Sequence, residues 1–525
     1  MDGVIAGTVV ALMTAWGLPQ DAAIEGTQTT EGTKTAELSL EECVREVLRG
    51  NLSLKLAEID RAARVASVTE ALGAFDPELY ANLTGADREE PTASSFQAPR
   101  NQSMNGAAGL RGLLRNGLSY DLGYALSYNR QSPSNPFFGF NPTLSSDLAL
   151  NLTQPLLRGF GETVTEAPVE QARLFVERDD ADFFARVQET TFLAVQAYWQ
   201  LVRARRERGT AQSALAVAEE LVRNNQKRLD AGVMTRLDVL TAQAEAARRR
   251  ETLIRSGNGV SRAEDAVKSL MSPGADPAAW RGELVPTSEP QLRAEPLPSE
   301  EEVVEAAFAS RSDLRALEVD LRSADLDLEV AGNRQRSRLD LVGSYSYAGL
   351  AGKQAGGASK NNLDLAGESL AQIRDREFDQ WSLGFDFSRP IGNRTADAGM
   401  RRSELAKERA VMALLERRML IVEELRRTIR DVADAGAAFE AAQQARLLAE
   451  EQYQAELVRL ENEHSTTFQV REVQRDLFEA RDREGAAITS YETSYAALDQ
   501  ARGELAQQYG VRWSAHAPAA GTIRE

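Results

Sequence analysis

Residues 162–231 and 393–462 form two runs of about 70 residues that together hold one interior proline, Pro168, near the start of the first. As helices rising 1.5 Å per residue they span about 105 Å each. No single globular core hides a rod of that length, so the rest of the chain has to be arranged along it. The composition agrees, because apolar residues make up 42% of the chain and aromatics only 6%. Alanine accounts for much of the rest; it costs least in a helix and lets backbones approach closely.

Each rod precedes a second helical run, 235–270 and 466–509. Val239, Ala246, Leu253, Val260 and Val267 lie on one seven-residue line of the first, and Val470, Leu477, Tyr491, Leu498 and Leu505 on the equivalent line of the second. A seam of that period packs helices side by side with a left-handed supercoil. An ordinary antiparallel coiled coil explains this seam by itself.

The chain is also written twice. A shift of 260 positions lays Glu41-Glu42 on Glu301-Glu302, Leu54-Lys55 on Leu314-Arg315 and Leu79 on Leu339. Farther on, Pro155 falls on Pro390, Arg228-Leu229 on Arg459-Leu460, Thr235 on Thr466 and Gln243 on Gln474, in unbroken order. The first half runs over 38–270, with β segments at about 79–155 and helices at 162–231 and 235–270. The second covers 300–510, with β segments at about 339–390 and helices at 393–462 and 466–509. Between them, 271–299 is rich in proline and reads as a linker; 511–525 reads as a tail.

The β segments shift the balance away from a soluble coiled coil. Tyr120, Leu122, Tyr124, Leu126 and Tyr128 alternate with Asp121, Gly123, Ala125 and Ser127; Trp381, Leu383, Phe385 and Phe387 alternate with Ser382, Gly384 and Asp386. Period two means one apolar face and one polar or small face. A few such strands flanked by rods cannot build a sandwich core. They can build a closed barrel if several chains contribute, and lipid requires closure because it offers backbone groups no water. Asn116-Gly117, a dipeptide that favours a two-residue type I′ turn, implies an extra hairpin in the first half. The fold class expected is an α+β membrane protein with long coiled-coil hairpins, a few transmembrane strands and an internal duplication.

Other signals exclude more than they assign. A net charge of −18 repels a phosphate backbone, which argues against nucleic acid as a partner. The apolar stretch 4–18, followed by Ala22 and Ala23, reads as a signal peptide over residues 1–23, although Met1-Asp2-Gly3 brings no positive charge. Cys43, the single cysteine, reads as a small buried residue on a helix. His464 and His516 are far apart, and no metal-ligand spacing, phosphate loop or nucleophile elbow accompanies them. No catalytic residue, metal or cofactor is expected.

LSLEECVREVLRGNLSLKLAEID from Leu38, LTQPLLRGFG from Leu152, AYWQLVRA from Ala197 and RLDAGVMTRLDVLTAQ from Arg228 stand in an order that resembles the TolC-type outer-membrane efflux protein family. The resemblance covers about residues 38–511. It implies a homotrimer whose protomers share one barrel in outer-membrane lipid, continued by a helical barrel through the periplasm. Pro155 and Pro390 then lie at the strand-to-helix junctions, where a residue that cannot donate to a ladder suits a helix start. The duct is passive, served by a periplasmic adaptor and an inner-membrane transporter, in efflux or in type I secretion. By the same resemblance Arg228, Leu229, Gly232, Val233, Thr235, Arg459, Leu460 and Thr466 line the adaptor-docking tips. The second turn departs from the family pattern: Glu463 stands where the first has Gly232, and Phe468-Gln469-Val470 replaces an acidic residue. The pore gate then falls to Asp238 or Phe468. A soluble coiled-coil scaffold and a periplasmic adaptor are the alternatives.

Overall fold

The computed structural model describes residues 35–91, 98–132, 139–293, 296–354, 361–462 and 464–511. The expected leader, Glu463 and His516 lie outside them. The first half runs β1 (Thr35–Leu38), α1 (Leu40–Gly50), α2 (Leu52–Leu72), then strands β2 (Glu78–Glu89), β3 (Arg100–Leu113), β4 (Ser119–Ser132) and β5 (Thr143–Pro155). Helices α3 (Glu162–Thr165), α4 (Ala167–Asp230) and α5 (Arg236–Met271) follow, then β6 (Glu283–Pro286). The second half runs α6 (Glu300–Ser310), α7 (Ser312–Gln335), β7 (Arg338–Gly352), α8 (Asn362–Arg374), β8 (Asp379–Ser388), α9 (Arg394–Glu461), α10 (Thr467–Ala501) and α11 (Leu505–Gln508).

The duplication is legible as chemistry. Ser39 and Ser299, 260 residues apart, each close a capping box with a glutamate three residues on, which satisfies the open N–H groups at the starts of α1 and α6. Cys43 matches Val303, and Leu54 matches Leu314; all four are buried. Cys43 therefore holds a core position that valine fills in the other half, and burial pushes its thiol up to about 12. At the break between the short and medium helices, Asn51 Nδ2 donates to Leu270 O at 3.0 Å, and Arg311 Nη1 donates to Ala501 O at 2.7 Å. Each half thus pins its helix break to the end of its returning helix.

Two larger cores form among the described helices, and the first also takes in Ala496, Leu505 and Ala506 of the second half. The first gathers α1, α4, β1 and β6 around Tyr198, whose hydroxyl donates to Leu38 O at 3.1 Å and accepts from Ser288 N at 2.9 Å. The second gathers α6, α9 and α10 around Val303, Leu425 and Leu498. The heptad lines are the packed faces: Val239, Val260, Val267, Leu477, Tyr491 and Leu498 are buried. The hairpins also face each other, since Asp482 of α10 lies against α4, where burial and the charge of Glu207 raise its carboxyl pKa.

Three segments differ from the sequence expectation. The run at 162 breaks at Glu166 into α3 and α4, because Pro168 fits only the first turn of the longer helix. The run ending at 509 breaks after Ala501, where Gly503 takes φ 77° and its carbonyl accepts from buried Gln188. The proline-rich segment carries regular structure: β6 pairs in parallel with β1, and Arg293 lies 3.7 Å over the Tyr495 ring of α10.

Candidate functional site

Six strands form one antiparallel sheet in the order β2-β3-β4-β5-β7-β8. Register decides which side chains share a face, and it runs unbroken across the sheet. Leu79, Leu110, Leu122, Leu150, Tyr345 and Trp381 form one cross-strand row. Their neighbours along the strands form the next row: Glu78, Arg111, Asp121, Asn151, Ser344 and Ser382. One row is wholly apolar, the other wholly polar. Along the apolar face Leu79, Leu83, Leu383 and Phe385 are 66–81% exposed, a state that water penalises and lipid does not.

The ends of the sheet differ from each other. The β3–β4 turn is short, and it docks on the strand-to-helix junction, with Gln154 Nε2 donating to Asn116 O and Arg115 paired with Glu166 at 3.2 Å. It is wider than the two-residue turn expected. Gly117 at φ 88° donates to Leu114 O, and Leu114 N donates to Leu118 O, which is a turn extended by a glycine bulge. The connections at the far end, 90–99, 133–142 and 353–378, are longer. Helix α8 lies in the last of them and packs Leu365 on Leu144 and Ala351, over the apolar face. Ser146, on that face, is buried beneath it against Ser369.

Pro155 is the last ladder residue of β5, and Pro390 follows β8. Neither proline starts a helix, and the backbone bonding of β5 to β7 runs on past Pro155, since Leu156 N donates to Leu339 O at 2.7 Å. Gly159 (φ 85°), Gly161 (φ 105°) and Gly392 (φ 91°) turn the chain, and the helices begin later, at Glu162 and Arg394. The last turn of α7 holds both junctions: Asn333 Oδ1 accepts from Gly159 N at 2.7 Å, and Gln335 O accepts from Asn393 Nδ2 at 3.1 Å.

At the opposite end of the rods, α4 closes on Arg228, Leu229, Gly232 and Val233. Val233 N donates to Arg228 O and Gly232 N to Leu229 O, both at 2.9 Å, with Gly232 at φ 75°. This is a Schellman closure. In the second turn His464 N donates to Arg459 O at 2.8 Å, so His464 takes the place of Val233, and Leu460 the place of Leu229. Thr235 caps α5 in a box with Asp238; Thr466 caps α10 in a box with Gln469. The Thr235 hydroxyl donates to Asp238 Oδ2 at 2.6 Å, and this bond, with that from Thr235 N, holds the Asp238 carboxyl below the usual carboxylate range. Val233 (77%) and Phe468 (59%) are exposed, with Arg471 stacked over the Phe468 ring. Leu237, 71% exposed beside Thr235, was not singled out by sequence. Its signal was available: an apolar residue in the first turn of α5, off the heptad line.

No helix among the described residues is long and apolar enough to cross a membrane. The sheet has one lipophilic face and two open edges, and it is continuous with paired helical rods. Residues 111–272 match the family model described as "Outer membrane efflux protein". In fold the chain is similar to the outer-membrane channel OprN (18% identity, TM-score 0.63, covering 89% of this chain and 90% of that one). It is likewise similar to the CmeC outer membrane channel of Campylobacter jejuni (16%, 0.62, 89% and 86%) and the outer membrane protein VceC of Vibrio cholerae (16%, 0.62, 88% and 96%). No curated protein matches the chain in sequence.

Proposed function

We propose that three copies of the chain form a passive exit duct through the outer membrane, with the helical hairpins extending into the periplasm. The observation that carries this reading is the pair of neighbouring rows, six apolar residues on one face and six polar residues on the other, across every strand of the sheet. Strands β2 and β8 are the sheet's edges. Lipid does not tolerate unpaired strand edges, so β8 of one copy pairs with β2 of the next. An even number of strands per copy keeps that pairing antiparallel. A soluble scaffold would instead leave Leu79, Leu83 and Phe385 in water.

Transport is driven from outside the duct by an inner-membrane transporter coupled through a periplasmic adaptor, in efflux or type I secretion. The two turns are the docking tips. Arg228, Leu229, Gly232, Val233 and Thr235 serve in the first, and Arg459, Leu460 and Thr466 in the second, with exposed Val233 and Leu237 as apolar anchors. Phe468, with Arg471 on its ring, is the better gate of the two candidates, because the Asp238 carboxylate is engaged by its own cap. Adaptor binding opens the tip by favouring the open state. The test is reconstitution of detergent-extracted protein in a planar bilayer: discrete conductance steps are expected. Protein that stays monomeric in surfactant-free buffer and produces no steps would overturn the reading.

A further inference from the structure

We propose that the wall this chain builds in the membrane has eighteen strands, because hairpin β3–β4 is part of the barrel rather than a decoration of its loops. The inference rests on the trimeric duct reading above. The duplicated plan provides two strands per half: β2 matches β7 through Leu79 and Leu339, and β5 matches β8 through Pro155 and Pro390. In the second half the connection between those strands carries α8. In the first it carries a hairpin, and that hairpin lies within the sheet. β3 pairs with β2 from Glu78↔Arg111 to Glu89↔Arg100, and β4 pairs with β5 from Ser119↔Thr153 to Asn129↔Thr143. It occupies the place where β2 and β5 would otherwise meet.

Four features fit the hairpin to that place. Its faces continue those of the neighbouring strands: Met104, Ala108 and Leu110 share the lipid side, while Ser127 Oγ donates to Asn105 Oδ1 at 2.6 Å on the lumen side. Charged pairs stand only at its two ends, Arg111 with Glu78 and Arg100 with Asp87. Tyr80 of β2 lies across the hairpin on the lumen side. A Cβ at Gly109 or at Gly123 would come within 2.7 Å of the Tyr80 hydroxyl, so the ring spans two strands only because both positions are glycine. An aromatic laid over cross-strand glycines fixes register. The hairpin's short turn also points toward the helices, as periplasmic turns of membrane barrels do.

Three copies of the six-stranded sheet make eighteen strands, where two strands per half would make twelve. Barrel diameter grows roughly in proportion to strand number, so the bore at the membrane is about 1.5-fold wider. The added arc is lined by small and neutral side chains such as Ala107, Gly123 and Ala125, which leave that width open.

The test scans single cysteines in a Cys43→Ala background, in trimers reconstituted into vesicles. Met104→Cys, Asn105→Cys, Ala107→Cys and Ala108→Cys probe β3; Ser382→Cys and Leu383→Cys probe β8. Positions 105 and 107 should react with a charged, water-soluble thiol reagent roughly tenfold faster than 104 and 108. A fluorophore at 104 or 108 should be quenched by brominated lipid. Alternation in β8 with uniform reactivity and no quenching along β3 would place the hairpin outside the membrane, overturning the inference while sparing the duct. Loss of alternation in β8 as well would overturn both.

Discussion

The two halves share their helices closely and their wall hardly at all. Their equivalent bonds, Asn51 to the end of α5 and Arg311 to the end of α10, link the same places with different chemistry. Their capping boxes fall 260 residues apart without drift. Between the medium helix and the rod, by contrast, one half inserts a hairpin into the sheet and the other lays α8 over it. Helical packing ties each position to neighbours three and four residues away and to a facing seam, so insertions there are costly. Strands in a barrel are tied only to the strands beside them, and a hairpin adds two while parting only the one pair it enters.

If both halves contribute wall on equal terms, charge on the lipid side must be equally costly in each. Leu122→Arg in the hairpin strand β4 and Leu383→Arg in β8 should each destabilise the bilayer-inserted protein by about 2–4 kcal/mol, read as the denaturant midpoint of reconstituted protein. Ser127→Arg and Ser382→Arg, on the lumen side of the same strands, should cost far less. A penalty at Leu383 without one at Leu122 would set the hairpin apart from the wall.

The helix break sharpens the contrast on a smaller scale. Arg311 is held by Asp313 at 2.9 Å and Glu424 at 3.1 Å, and Arg417 also reaches Asp313. Burial alone would raise the Asp313 pKa, yet Arg311 and Arg417 outweigh it and bring the carboxyl below its ordinary value. Arg311→Ala leaves two carboxylates to one remaining arginine and should cost about 2–3 kcal/mol, discounted because Asp313 and Glu424 are about a third exposed. Asn51→Ala removes a neutral cap and one hydrogen bond, at about 1–2 kcal/mol. Thermal unfolding of both variants in the same detergent checks the order.

The helices could be read in the sequence because proline is nearly absent and the heptad positions Val239, Leu477 and Leu498 are the ones buried. β4 and β8 were equally plain, since Leu, Tyr, Trp and Phe mark their outward rows. β3 carries no such alternation, because its outward row includes Gly106, Ala108 and Gly112, too small to mark a face. β6 was hidden for a different reason: its partner β1 lies 248 residues away, and nothing local in a proline-rich segment signals a parallel pair. At the tips Gly232 announced the first closure, whereas the second makes the same Arg459-to-His464 bond without a glycine to mark it. The prolines were expected to suit helix starts at the strand-to-helix junctions, but the turning there is done by glycines.

The smallest expected difference lies between the tips themselves. The first cap uses a carboxylate, Asp238, and the second an amide, Gln469. The Asp238 carboxyl is held below its ordinary value of 3.8 by the Thr235 hydroxyl and the Thr235 N–H. A depressed acid contributes stability that is present above the unfolded pKa and lost as pH falls through the folded one. Acidification from about pH 5 to about pH 2 should therefore loosen the start of α5 while leaving the start of α10 unchanged. Amide protection at residues 236–239 and 467–470, corrected for intrinsic exchange, reads this directly. Asp238→Asn should make the first turn as insensitive to acid as the second. Equal loss at both turns would mean that acid acts on the rods and not on the cap.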